Sequence, residues 1–123
     1  MSGLPSRAPV LLVAEDEMVL AMTLADFLEA EGFQVRTAAR VADAIGIVSR
    51  EAVDAALLDI NLNNEKVYPV CELLRERRVP FIFTSAYDAS CTAQDMGEHA
   101  HLQKPYSFDA LRALLAKVLE GRS

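Results

Sequence analysis

Residues 54 to 62 have the sequence Asp54-Ala55-Ala56-Leu57-Leu58-Asp59-Ile60-Asn61-Leu62, and this stretch decides the fold. A short apolar run that is bounded by polar residues and followed by helical periodicity is typical of a buried parallel strand. We therefore predict a strand that ends at Asp59. Ligands of open α/β sheets bind outside the carboxyl ends of the strands, so Asp59 would face a cleft. An Asp can also end a strand or cap a helix without any chemical role. Residues elsewhere in the chain are needed to distinguish a chemical role of Asp59 from a structural one.

The composition is that of one globular domain. The chain has 123 residues, of which 52% are apolar and 24% are charged, so it can bury a single core and differs from disordered proteins. It carries 12 basic and 18 acidic residues, a formal net charge of -6, and no basic patch. We therefore expect no direct binding to nucleic acid.

The amino-terminal residues and the cysteines indicate a cytoplasmic location. Residues 1–9 contain Ser, Gly and Pro and no apolar signal-peptide core, so we predict a flexible leader before a domain that spans 10–120. No run of about 18 apolar residues occurs, and we expect no membrane span. Cys71 and Cys91 lack the spacing of metal ligands, which favours reduced thiols, with Cys71 in the core.

Apolar segments and helical patterns alternate along the whole chain. Further strands are predicted at 10–13, 33–37, 79–83 and 100–103. Helices are predicted around 20–28, 41–48, 67–74 and 108–118, and a short one at most within 88–99. Gly32 is expected to end the first helix and Ser107 to cap the last. Such alternation predicts a doubly wound, five-stranded parallel α/β sheet with helices on both faces. Placing the most apolar strands at the centre gives the flavodoxin-like order 2-1-3-4-5.

Polar residues at the strand ends converge on one edge of that sheet. They are Glu15 and Asp16, Asp59, Ser85, and Lys104. Two like charges about 4 Å apart repel by roughly 4 kcal/mol at an effective dielectric constant of 20, so three clustered carboxylates need a cation, and Mg²⁺ is the natural one. Lys104 and Ser85 would suit the oxygens of a phosphoryl group, and Asp59 could be its nucleophile. Taken singly, each residue also has an ordinary role as a surface lysine, a turn serine or a helix cap.

Four motifs of this chain resemble the signatures of the response-regulator receiver domain of two-component signalling. They are Val-Ala-Glu-Asp-Glu (13–17), Leu-Leu-Asp-Ile-Asn-Leu (57–62), Ser85-Ala86 and Lys104-Pro105-Tyr106. The resemblance covers residues 10–120 and implies the CheY-like form of the fold. It implies that Asp59 is the phosphoacceptor, that Ser85 follows phosphorylation and that Lys104 is the family's lysine. It further implies a Mg²⁺ ion held by the residues Asp16, Asp59, the backbone carbonyl of Asn61, and Glu15 directly or through water.

The chain departs from the usual receiver pattern at several positions. Asn63 and Val67 stand where receivers usually have Pro and Gly, so we expect a loop of different shape there. His101 takes the place of the aromatic switch residue. Residues 80–87 resemble the motif of the FATGUY subgroup of stand-alone receivers, with differences at positions 84 to 86.

The resemblance also implies a switch. Tyr87 and Asn61 would gate the water that hydrolyses an acyl phosphate. On phosphorylation, Ser85 would draw the segment from Ala86 to His101 with it. Residues 88–99 contain few large apolar side chains, so we expect them to be mobile before phosphorylation and ordered after it.

We therefore predict a stand-alone receiver without an effector domain, which does not turn over small molecules. A histidine kinase or phosphotransfer protein would phosphorylate Asp59, and a downstream protein would respond, or the chain would act as a phosphate sink. A haloacid-dehalogenase phosphatase also uses Asp and Mg²⁺, but its nucleophile follows the first strand. A flavin carrier would need a phosphate-binding loop where Glu15 and Asp16 stand. A pseudo-receiver, which only binds partners, is a third alternative.

Overall fold

The computed structural model describes residues 8–85 and 100–120. Its main sheet has five parallel strands: β1 (Val10–Ala14), β2 (Gln34–Ala38), β3 (Ala55–Asp59), β4 (Phe81–Ser85) and β5 (Ala100–Gln103). The described helices are α1 (Met18–Ala30), α2 (Val41–Arg50), α3 (Tyr68–Glu76) and α4 (Phe108–Glu120). The strands lie in the order β2-β1-β3-β4-β5, which confirms the predicted doubly wound, flavodoxin-like sheet.

Apolar side chains cover both faces of the sheet. Every residue of β1, β3 and β4 is buried, because successive side chains point alternately into two separate cores. On one face, α2 and α3 pack through Val41, Ala44, Val48, Val70, Cys71 and Leu74. On the other face, α1 and α4 pack through Leu24, Leu28, Leu111 and Leu115. The outer strands β2 and β5 are only partly buried, as their sequences predict.

Local signals set the helix ends. Gly32 has a φ of 101°, a conformation that costs glycine little, and Phe33 N donates to Leu28 O at 3.1 Å where α1 ends. Ser107 caps α4 as predicted, since its hydroxyl accepts a 3.0 Å hydrogen bond from Ala110 N. Among residues 8–85 and 100–120, no helix combines the length and the apolar character that crossing a bilayer requires.

Cys71 fills space in the core, as predicted. It is fully buried between α3 and the sheet, and burial raises the pKa of its thiol to about 12. The thiol is therefore protonated at neutral pH and contributes as a small apolar group. Cys91, Tyr87 and the short helix considered within 88–99 lie outside the described residues.

A small β-hairpin follows β3, which the sequence pattern did not predict. Asn61–Leu62 pairs antiparallel with Glu65–Lys66, and Asn63 and Asn64 form the turn with φ values of 51° and 69°. A two-residue turn with both φ values positive favours Asn or Gly, because other side chains are strained there. The Asn-Asn dipeptide was therefore the signal for this hairpin. The loop after Asp59 is short and ordered by its own hydrogen bonds.

Candidate functional site

The predicted site residues meet at the carboxyl edge of the sheet. Glu15 and Asp16 follow β1, Asp59 is the last residue of β3, and Lys104 follows β5. Backbone hydrogen bonds extend the sheet past the strand ends, from Glu15 N to Ala38 O at 2.9 Å and from Lys104 N to Ser85 O at 2.7 Å. The side chains are therefore held by the sheet itself and not by a free loop.

Three carboxylates form one cluster. Glu15, Asp16 and Asp59 each offer an oxygen atom, and these atoms lie within 4.8 Å of one another. Glu15 and Asp59 are only 4% and 9% exposed, whereas Asp16 faces solvent. Two ionised carboxylates so close repel strongly when they are buried, so the cluster needs positive charge.

Backbone amides fix the orientation of these carboxylates. Glu17 N donates to Glu15 Oε2 at 3.1 Å, and Asn61 N donates to Asp59 Oδ1 at 3.2 Å. In the hairpin turn, Asn63 N donates to Asp16 Oδ2 at 2.7 Å. In each acid, one carboxylate oxygen therefore accepts a hydrogen bond from a backbone amide. The unpredicted hairpin has a definite role, because its turn orients the most exposed acid of the cluster.

Lys104 supplies the positive charge in the described structure. Its Nζ lies 2.9 Å from Glu15 Oε1 and 3.1 Å from Asp59 Oδ2, so one ammonium bridges the two buried acids. From the sequence, we assigned this lysine to an incoming phosphoryl group. The structure shows that it also neutralises the acids themselves.

The protonation of the pair follows from burial and charge. Burial raises the pKa of Glu15 above its ordinary value, although the hydrogen bond from Lys104 opposes this effect. Burial alone would lower the pKa of Lys104, but hydrogen bonds and charge from Glu15 and Asp59 outweigh it and raise that pKa. Lys104 therefore stays protonated at neutral pH, and burial makes Glu15 costly to ionise.

The donor set fits a hard divalent cation. Mg²⁺ binds oxygen ligands, prefers carboxylates and keeps several waters in its coordination shell. Glu15, Asp16 and Asp59 supply three such ligands, and the exposure of Asp16 leaves the cluster open to water on one side. A cavity of about 320 Å³ adjoins it, lined by Glu15, Asp16 and residues from α1 and from the end of β2.

Ser85 and His101, both predicted as switch residues, are brought together by the sheet. Ser85 is 3% exposed at the end of β4, and its Oγ lies 3.4 Å from His101 Nε2 on β5. In the parallel register, His101 lies beside Phe83, which precedes Ser85 by two residues and shares its face of the sheet. The sequence did not predict this contact, because strand register cannot be inferred from the pattern of either strand alone.

One buried group near the site also escaped prediction. The Tyr106 hydroxyl is buried and has no hydrogen-bond partner among the residues that the structure describes. Burial raises the pKa of this phenol to about 12, so it is neutral at physiological pH. The motif Lys104-Pro105-Tyr106 predicted a functional role for the lysine but did not indicate that the tyrosine hydroxyl is buried.

Comparison with known proteins identifies the family. The family described as "Response regulator receiver domain" matches residues 11–116. The chain is 32% identical over 117 residues to the alginate biosynthesis transcriptional regulatory protein AlgB of Pseudomonas aeruginosa, covering 91% of this chain and 26% of AlgB. It is 30% identical over 116 residues to the sensor histidine kinase RcsC of Salmonella typhi, covering 90% of this chain and 12% of RcsC. The chain thus spans about a quarter or less of these two relatives.

Solved structures agree with the sequence matches. A response regulator receiver protein from Sinorhizobium medicae superimposes with a TM-score of 0.86 at 26% identity, covering 94% of this chain and 98% of that protein. These comparisons do not separate subgroups of receivers, so the FATGUY assignment stays a prediction. The chain belongs to the response-regulator receiver family of two-component signalling.

Proposed function

We propose that Asp59 accepts a phosphoryl group from the phosphohistidine of a histidine kinase or phosphotransfer protein. The chain is a receiver domain of a response regulator, and its acidic pocket is typical of aspartate phosphorylation and Mg²⁺ binding. The observation that supports the assignment is the position of Asp59, which ends a buried strand with Glu15, Asp16 and Lys104 around it. One oxygen of Asp59 forms the new P–O bond while the P–N bond of the donor breaks.

Each neighbour has a role in this transfer. Lys104 donates to oxygens of the entering group, and the Ser85 hydroxyl donates to another. The residues Asp16, Asp59 and Asn61, through its backbone carbonyl, would hold Mg²⁺, and Glu15 would do so directly or through water. When bound, the ion supplies positive charge that offsets the charge gained in the transition state. Asn61 N keeps Asp59 oriented by the 3.2 Å hydrogen bond to Oδ1.

The first turns of α1 are suited to contact the phosphodonor protein. Met18 and Val19 are each 73% exposed and Met22 is 60% exposed, a group of large apolar side chains that a solvated helix rarely presents together. Met18 and Met22 also line the cavity beside Glu15 and Asp16, so this patch borders the entrance to the cleft. A protein that brings phosphohistidine to Asp59 has to cover this border. We therefore assign the patch to the phosphodonor.

The output is proposed to be a downstream protein or a phosphate sink. AlgB is a transcriptional regulator and RcsC a sensor kinase by name, so relatives of this domain occur in proteins with different outputs. We propose that residues 10–120 act as a receiver domain in the cytoplasm. The phosphatase and flavin-carrier alternatives are not favoured, because the family match and the acidic cluster both indicate a receiver.

Phosphorylation of Asp59 is tested by intact-protein mass spectrometry. The protein is incubated with a small phosphodonor, with and without Mg²⁺, and we expect the mass of one phosphoryl group only when Mg²⁺ is present. Asp59→Asn should abolish labelling, and Asp43→Asn on the exposed side of α2 is the matched control that should retain it. Labelling that persists in Asp59→Asn would show that another residue is the acceptor.

A further inference from the structure

The hairpin turn after β3 orients the most exposed acid of the cluster. Asn63 N donates a 2.7 Å hydrogen bond to Asp16 Oδ2, and hydrogen bonds to a charged acceptor are among the strong ones in proteins. Glu15 and Asp59 are buried at the ends of strands, whereas Asp16 is exposed beyond the end of β1. Burial therefore restricts the side chains of two acids, and the turn restricts that of the third.

The backbone conformation of the turn makes this hydrogen bond possible. Asn63 and Asn64 have φ values of 51° and 69°, which asparagine adopts more readily than most residues. The hairpin is anchored below by Leu62 and Val67, which are both fully buried, and Val67 N donates to Ile60 O at 2.9 Å. A proline, which receivers usually have at position 63, has a φ of about -65° and no N–H group, so it could not form this bond.

The hydrogen bond limits how Asp16 can bind a cation. One oxygen of its carboxylate accepts from the amide, so the carboxylate is held in one orientation and offers its other oxygen. Mg²⁺ requires a nearly octahedral arrangement of its ligands, whereas Ca²⁺ tolerates irregular geometry and accepts both oxygens of one carboxylate. A carboxylate that is fixed in advance therefore favours Mg²⁺ over Ca²⁺.

We propose that Asn63 is a positioning residue for the divalent cation site, and that its amide keeps the hydrogen bond to Asp16 while Mg²⁺ is bound. The amide acts through Asp16, which offers an oxygen atom within 4.8 Å of ligand atoms of Glu15 and Asp59. Hydrogen bonds from such outer groups orient the ligands of a metal and raise its affinity. This inference rests on the Mg²⁺ site of the proposed function, but not on the transfer of a phosphoryl group.

NMR of the wild-type protein observes the hydrogen bond directly. The measurement is the scalar coupling across the bond, between the backbone nitrogen-15 of Asn63 and the carboxyl carbon-13 of Asp16. We expect this coupling without Mg²⁺ and also at saturating Mg²⁺. Its absence from the free protein, or its loss when Mg²⁺ is added, overturns the proposal. This readout needs no variant, so it decides the question even where a substitution in the turn prevents folding.

Cation affinities measure the effect of the amide on the site. Asn63→Pro removes the N–H group and the left-handed conformation, and dissociation constants for Mg²⁺ and Ca²⁺ are obtained from backbone amide shifts of the full chain. We expect Mg²⁺ to bind about tenfold more weakly than to wild type. Ca²⁺ should lose less than about threefold, because its coordination is flexible.

Two matched variants keep the donor. Asn63→Gly retains the N–H group and adopts a positive φ without strain, so we expect its Mg²⁺ affinity to lie within about twofold of wild type. Asn64→Ala strains the other position of the turn and leaves the Asn63 amide in the chain, and we expect a change of no more than about twofold. A tenfold loss in Asn63→Gly would contradict the proposal, because the donor is still present.

The outcomes separate this inference from the proposed function. An unchanged Mg²⁺ affinity in Asn63→Pro would refute the positioning role, and equal losses for Mg²⁺ and Ca²⁺ would show that the turn only supports the shape of the loop. Failure of the wild-type protein to bind Mg²⁺ would refute the cation site of the proposed function and this inference with it. If wild type binds Mg²⁺ but is not labelled at Asp59, the proposed phosphorylation fails, and the coupling and the affinities still decide the inference.

Discussion

Replacing Lys104 with Met removes the ammonium that bridges Glu15 and Asp59 and keeps a side chain of similar length. The bridge has contacts of 2.9 Å and 3.1 Å, and the Lys104 side chain is 23% exposed. Its partners are more deeply buried, with side-chain exposures of 3% for Glu15 and 12% for Asp59. The replacement therefore leaves two buried carboxylates facing each other without the cation between them.

The cost can be estimated from these contacts. Breaking a buried ion pair by removing one partner costs about 3 to 5 kcal/mol, because the remaining charge stays desolvated. Here Glu15 can relieve part of that cost by binding a proton, and its pKa is already raised by burial. We therefore expect Lys104→Met to lower the free energy of unfolding by about 2 to 4 kcal/mol at pH 7.

The loss should depend on pH in a definite direction. The pKa of Glu15 is raised in the folded protein, so its protonated form favours folding, and this contribution is lost as pH rises through the raised value. Without Lys104, that pKa rises further, because a hydrogen bond and a charge that lower it are gone. In wild type, the raised pKa of Lys104 keeps its own contribution present until strongly alkaline pH. The difference between the two proteins should therefore be smaller at pH 5 than at pH 7.

Urea unfolding followed by circular dichroism at pH 5 and pH 7 measures this difference. Lys117→Met on an exposed position of α4 is the control and should change the free energy of unfolding by less than about 0.5 kcal/mol. Added Mg²⁺ should restore part of the stability of Lys104→Met, since a divalent cation can replace the missing charge. A variant as stable as wild type at pH 7, or one whose deficit grows toward pH 5, would contradict this account of the cluster.

Two further variants test other parts of the molecule. Val19→Asp on the exposed patch of α1 should slow phosphotransfer from the cognate kinase at least tenfold. The rate of labelling by a small phosphodonor should stay unchanged. An equal loss with both donors would show that Val19 supports the fold or the phosphorylation site and does not contact the donor protein. Tyr106→Phe should raise the free energy of unfolding by about 1 kcal/mol, because it removes a buried hydroxyl with no partner among the described residues. A lower free energy of unfolding in urea would show that the hydroxyl makes a hydrogen bond.

The sequence was sufficient for the sheet and for the placement of Glu15 and Asp59 at one edge of it. Apolar runs that end in Glu15 and Asp59 identify central strands and place carboxylates at their ends, and both residues lie where this pattern predicts. This success has a physical basis, because a strand that is buried on both faces needs a continuous apolar run. The carboxyl ends of parallel strands then lie on one edge of the sheet, independent of the conformation of the loops.

Contacts that depend on register or on a short turn could not be predicted. The hydrogen bond from Asn63 N to Asp16 requires the hairpin, whose strands have only two residues each and show no periodicity. The Asn63-Asn64 dipeptide indicates a turn but not this contact. The approach of Ser85 to His101 depends on how β4 and β5 align, and the period-2 pattern of an edge strand leaves that alignment open. Tyr87 and the segment 88–99 lie outside the described residues, so their proposed roles stay predictions.

For the proposed phosphorylation of Asp59, the charge balance of the cleft predicts a role for Ser85. Three carboxylates against the one ammonium of Lys104 leave the cluster with a formal charge of minus two when all are ionised, which a single divalent cation balances. An acyl phosphate at Asp59 carries about one negative charge more than the carboxylate that it replaces, and nothing among these groups offsets it. A buried neutral donor is then the remaining way to stabilise the added charge, and Ser85 is buried on the neighbouring strand next to the register pair of Asp59 and Thr84. Because the hydroxyl has only one proton, whatever accepts that proton in the resting protein competes directly with the phosphoryl group, and the nitrogen of His101 lies within reach to do so.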